Sequence, residues 1–201
     1  MTLTVTDLRA AIVRLAAAMA RDFDALNAAD GALGDGDLGV TMKRGSQAMA
    51  DLVLPDDLGQ ALMSCAQAFT KVSGSSYGTL MATGLMAIAK VVKGRTEIET
   101  AEVSSLVAAA RDAMQARGKA DLGGKTVLDS LDAVAKATAG LSDPAEVAEA
   151  AARAAAAAQA ALRDRPATVG RARIFGEKTI GMDDPGMIAM TAIVAAIAAT
   201  G

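Results

Sequence analysis

The amino-acid sequence predicts an all-α protein, and three observations point there. Apolar residues make up 52% of the 201-residue chain, yet aromatics only 2%. About a quarter of the chain is Ala, the best helix former, whereas a sheet would call for aromatic and β-branched residues. Where apolar residues recur, they do so at spacings of three and four, the period of one helix face. A core of Ala, Leu, Val, Ile and Met suits closely packed helices.

Eight helices account for the chain, and no segment reads as a strand. The first covers 7–27, where Leu8, Ile12, Leu15, Met19, Phe23 and Leu26 share a face. A Gly/Asp-rich segment, 29–39, interrupts it. Helices follow over 40–52, 58–72 and 79–92, the last two separated by the Ser/Gly loop 73–78. The fifth, 100–116, stops at the Gly-rich loop 118–124, and the sixth covers 126–138. The seventh has a clear start: Asp143 as N-cap, Pro144 at the first helical position and Glu146 three residues after the cap. It runs through an Ala tract to about 163. An irregular segment, 164–185, then leads to the apolar helix 186–199. An unstructured stretch of that length is uncommon and often functional. With no domain boundary visible, the expectation is one domain over 1–201.

Composition removes whole mechanisms. With no His there is no Ser-His-Asp triad, no His-ligated zinc and no imidazole base; with one Cys there is no internal disulfide or Cys-cluster metal site. Cys65 lies in an apolar run and reads as a small core residue. Lys plus Arg number 20 against 23 Asp plus Glu, a net charge of −3, which gives no basic footprint for nucleic acid. No apolar run reaches the ~20 residues that cross a bilayer, and no signal pattern opens the chain. The expectation is a cytoplasmic protein without a nucleic-acid or membrane partner.

Chemistry-bearing residues collect in four loops, an arrangement in which a rigid scaffold presents a site. In the first, Asp30, Asp35 and Asp37 are interleaved with glycines. Such carboxylates can converge on a hard cation, although the spacing is not that of an EF-hand, and an acidic turn capping the next helix is the competing reading. In the second, Ser73-Gly74-Ser75-Ser76-Tyr77-Gly78 opens into a helix. It reads either as an anion cradle at a helix N-terminus or as an ordinary turn. The third, Gly118 to Thr126, imitates a G-x-x-x-x-G-K-[ST] phosphate loop. Five residues, not four, separate Gly118 from Gly124, and no strand precedes it, so that motif is rejected. The fourth, 170–186, carries Arg171, Arg173 and Lys178, which can approach a nucleotide, and a tight helix entry at Asp184-Pro185-Gly186.

In this order the four clusters resemble the nucleotide-binding L subunit of dihydroxyacetone kinases, the Dak2 or DhaL-type family. The family's G-D-x-D-H-G-x-N-M-x-R-G corresponds to Gly34–Gly45, its G-G-x-S-G-P-L to 73–80 with Tyr77 inserted, and its G-D-K-T-M-x-D to 123–129. Its G-R-A-x-x-x-G-E-[RK]-[ST]-I-G-x-x-D-P-G is matched by Gly170–Gly186. The resemblance implies an eight-helix antiparallel barrel with nucleotide bound in the loops at one end. Asp30, Asp35 and Asp37 would hold two Mg2+ ions bridging the phosphates of ADP or ATP. Leu38, Gly39, Val40, Thr41, Ser75 and Ser76 would contact phosphate, and Gly118, Thr126 and Val127 would enclose the adenine end. Arg171, Asp184, Pro185 and Gly186 would close the site; no residue is assigned a catalytic role. Leu38 stands where the family has His, Thr41 where it has Asn, Gly124 where it has Asp, and Met182 where it has another His. No magnesium ligand is lost.

The implied function is that of the phosphoryl-transferring subunit of a two-component kinase. Its acceptor, dihydroxyacetone or a related keto-sugar, would sit on a separate K-type subunit. The donor is either exchanging ATP or a phosphotransferase-system protein that rephosphorylates bound ADP. The alternatives are the nucleotide domain of a four-carbon keto-sugar or fatty-acid kinase, or a non-catalytic ADP-binding subunit.

Overall fold

Asp22 breaks what periodicity reads as one first helix. In the computed structural model, which describes residues 1–199, α1 is Val5–Arg21 and α2 is Phe23–Leu33. The apolar spacing runs on through the break, but Asp22 leaves helical geometry at φ −90°, ψ 6° and serves as C-cap of one helix and N-cap of the next. α2 therefore extends past Ala29, so Asp30 lies in the last turn of a helix rather than in a loop. After it come α3 (Leu38–Ala50), α4 (Leu58–Val72), α5 (Ser76–Val91), α6 (Val103–Gly118), α7 (Val127–Thr138), α8 (Pro144–Leu162) and α9 (Pro185–Ala198). The expected eight helices are thus nine α-helices among the described residues, with 3-10 turns at Thr100–Glu102 and Arg171–Thr179.

The expectation of no strand also needs correcting. β1 (Thr2–Thr4) pairs antiparallel with β2 (Glu97–Glu99), in the register Thr2↔Glu99. Three residues are too few to leave a periodic signature in a sequence. The all-α class stands.

From α3 to α9 each helix packs on its successor, and α1 packs on both α3 and α9, closing a ring that leaves α2 as an extra helix against α3 and α9. Because consecutive helices alternate in direction, α3, α5, α7 and α9 all start at the same end. Ala and Met line the interior as composition suggests, with Met19, Met42, Met114 and Met187 fully buried, as is Phe69. Cys65 is among these core residues, and burial pushes its thiol up to about 11. None of the helices described is long and apolar enough to cross a membrane.

Candidate functional site

The end where four helices begin collects the N-terminal amides that have no intrahelical acceptor, and with them the positive ends of four helix dipoles. Three of these starts are capped conventionally. The Ser75 hydroxyl accepts from the Gly78 N–H at 3.0 Å, the Thr126 hydroxyl from Leu128 at 3.2 Å, and the Asp184 carboxylate from Met187 at 3.0 Å. The fourth differs. Asp37 is the N-cap of α3, yet its carboxylate makes no capping bond.

That carboxylate faces Asp30 and Asp35 instead. One oxygen from each of the three lies within 4.8 Å of the others, close enough to share hard cations with metal–oxygen bonds of about 2.0–2.1 Å. The backbone between them is built for this approach. The Asp37 N–H donates to Asp30 Oδ2 at 2.9 Å, and Gly36 turns the chain at φ +76°. Burial, then the charges of Asp35 and Asp30, raises the Asp37 carboxyl above its ordinary value. Asp35 moves the other way, lowered chiefly by its hydrogen bond with the Arg171 guanidinium. The competing reading of this loop, an acidic turn capping α3, places Asp37 at the N-cap position, where its side chain makes no capping hydrogen bond.

Hydrogen bonds carry the arrangement from loop to loop. Val40 donates its N–H to Asn27 Oδ1 at 3.2 Å, tying α3 to α2. The Thr41 hydroxyl donates to Ser75 Oγ at 3.0 Å, joining the starts of α3 and α5. Tyr77 donates its phenol proton to the Gly186 carbonyl at 3.0 Å, joining α5 to α9. Gly118 ends α6 beside Leu80 of α5. Arg171, from the segment before α9, returns to Asp35 and closes the circuit.

Several predicted residues reach this end through their backbone alone. Leu38 is 4% exposed and packs in the core, so only its main chain is available where the family carries an imidazole. Val127 and Pro185 are buried as well. Thr126 and Asp184 spend their side chains on caps, and Asp184 is pushed up to about 6, mainly by desolvation. Ser76, Arg173 and Lys178 are exposed.

Sequence reasoning missed Asn27 and undervalued Lys125. Asn27 had no motif to mark it. Lys125, in the loop that imitates a phosphate-binding motif, is 1% exposed and spends its ammonium on backbone carbonyls. The 164–185 segment is also less irregular than expected. It folds into the 3-10 turn kinked at Gly176 and packs Ala167, Ala172, Phe175 and Met182 on Leu33.

Known proteins share this organisation. The DAK2 domain model matches residues 32–199. The chain is 33% identical over 181 residues to the PTS-dependent dihydroxyacetone kinase, ADP-binding subunit DhaL, of Lactococcus lactis, covering 80% of this chain and 79% of that one. It is 33% identical over 183 residues to the triokinase/FMN cyclase of Mus musculus, covering 86% of this chain but only 31% of that longer protein. The dihydroxyacetone kinase from C. freundii, solved with AMP-PNP and Mg2+, superposes with a TM-score of 0.71 over 94% of this chain and 33% of its own, at 24% identity, which is a likeness of fold. With its acidic loop, serine-capped helix start and closed ring of helices, this chain belongs to the DAK2 domain family as a DhaL-type domain of the kinase class.

Proposed function

We propose that the whole chain is a single magnesium–nucleotide domain that passes a phosphoryl group to a keto-sugar held on a separate K-type subunit. The observation that carries the proposal is the Asp37 carboxylate. It stands at a helix start without capping it and converges with Asp30 and Asp35. Two Mg2+ ions fit three carboxylates of this spacing, and would supply the charge neutralisation that phosphoryl transfer requires. The chain's own part is positioning. The amides of Leu38 and Gly39 at the start of α3 and of Ser76 at the start of α5 receive phosphate oxygens, helped by the Val40–Thr41 turn and the Ser75 and Ser76 hydroxyls. Gly118, Thr126 and Val127 border the base, and Arg171 with Asp184, Pro185 and Gly186 closes the site. None of these steps needs an imidazole, in keeping with a chain that has none.

The L. lactis relative, by its name an ADP-binding subunit of a PTS-dependent kinase, supports a resident ADP recharged by a phosphotransferase-system protein, in the cytoplasm. The C. freundii protein, solved with AMP-PNP and Mg2+, supports a magnesium-bound nucleotide. The test mixes the chain with a K-type subunit, dihydroxyacetone, and either labelled ATP or a phosphorylated phosphotransferase-system donor. Label appearing on the sugar with one donor and not the other identifies the route. No transfer with either, despite tight Mg·ADP binding, would reduce the chain to a nucleotide-binding subunit.

A further inference from the structure

Lys125 is a charged side chain sealed at 1% exposure, on backbone held in the left-handed region at φ +61°. Its ammonium donates to three backbone carbonyls: Arg163 at 2.9 Å, Arg165 at 2.9 Å and Thr179 at 2.7 Å. An ammonium has three donors and no acceptor, so this cage satisfies it fully. The acceptors come from the two ends of one segment. Gly181 donates its N–H to the Arg163 carbonyl at 3.0 Å, and Ala167 donates to the Thr179 hydroxyl at 2.8 Å. The segment 163–181 is therefore a loop with a closed neck, and Lys125 sits in the neck. Beyond it, the loop lies on Leu33 and delivers Arg171 to Asp35.

We propose that Lys125 is a positioning residue: its ammonium fastens the neck of the 163–181 loop and thereby sets Arg171 over the acidic loop. Without the ammonium the Arg165 carbonyl would lose its donor, a desolvation cost, and the carbonyls of Arg163 and Thr179 would each keep one donor, the N–H groups of Gly181 and Met182. The neck would then rest on the Gly181-to-Arg163 and Ala167-to-Thr179 bonds and on the Arg163 guanidinium at the Gly181 carbonyl, and the loop would open more readily. The proposal rests on the nucleotide reading above only for its functional readout; the loop's own dynamics test it independently.

Two variants probe the cage. Lys125→Met keeps an unbranched apolar chain as far as Cε and removes the ammonium donors, while Lys125→Ala leaves room for a small alkylammonium. In Lys125→Met, amides in 167–181 should exchange with solvent more than about tenfold faster, and calorimetric Mg·ADP affinity should fall by about tenfold, the scale of one lost charge-assisted hydrogen bond. In Lys125→Ala, millimolar n-propylammonium should restore slow exchange and affinity, and tetramethylammonium, which has no N–H, should restore neither. Adding Lys125→Met to Arg171→Ala should cost no further affinity, as required of a residue that acts through Arg171. Wild-type exchange in Lys125→Met would overturn the clamp. Fast exchange with unchanged affinity, or additive losses in the double variant, would overturn its positioning role. Should the wild-type chain bind no Mg·ADP, the nucleotide reading falls, while the exchange and propylammonium measurements still decide the clamp.

Discussion

Two aspartates at helix starts, Asp37 and Asp184, use the same side chain in opposite ways. Asp37 caps nothing, so Asp37→Asn has no capping bond to lose. It should leave helix content unchanged by circular dichroism while abolishing magnesium-dependent ADP binding in a calorimetric titration. Wild-type affinity would remove Asp37 from the metal site. Desolvation, with a smaller push from the Asp129 charge, raises the Asp184 carboxyl to about 6 against the opposing pull of the Met187 N–H it accepts and of Lys125. An unfolded Asp titrates near ~3.9, so the folded state holds this proton more tightly. Its contribution to stability is present below about pH 4 and is lost as pH rises through about 6. Asparagine caps as well as aspartate and has no proton to lose. Asp184→Asn should therefore flatten this part of the melting profile and gain stability of order 1–3 kcal/mol near neutral pH. Parallel profiles for the two proteins across that range would show that Asp184 titrates normally.

At the scale of elements, the contact between α2 and α3 decides whether the acidic loop keeps its shape. A Cβ at Gly39 would collide with the Phe23 carbonyl and come within 2.7 Å of Asn27 Oδ1. The first is backbone and cannot swing aside. Gly39→Ala should push α3 off α2, costing about 1–3 kcal/mol in chemical denaturation and weakening nucleotide binding with it. An unchanged midpoint would mean that the two helices part without penalty. The clustering of Asp30, Asp35 and Asp37 and the serine-rich entry to α5 were legible in the sequence because each is a short motif with a mechanism. The break at Asp22 was not, since apolar periodicity continues across it and only capping geometry betrays it. Asn27 and the neck around Lys125 were also hidden. Both depend on backbone carbonyls and amides that become neighbours only once the ring has closed. Leu38 shows the converse: the sequence says what the family's His became, but not that the side chain turns inward to the core.

For the whole molecule, a ligand held at one end should quiet that end alone. Mg·ADP should slow amide exchange in 30–41, 73–79 and 170–186 and raise the melting temperature with ligand concentration. Protection centred instead on the Ala tract at 150–160 would place the ligand elsewhere. The ring that carries this end is sealed between its first and last helices, where Arg14 of α1 donates to the carbonyls of Ala196 and Ile197 in α9. During synthesis α1 leaves the ribosome long before α9 exists, so one of its flanks faces water until the final helix arrives. A protein whose helices pack mainly on their chain successors thus also carries a seam of very long sequence separation. Loop-closure entropy must be overcome there before the seam returns any energy. Completion of the barrel, and with it the alignment of four helix starts, is therefore a late event in folding, and an interrupted chain offers chaperones an unclosed apolar flank.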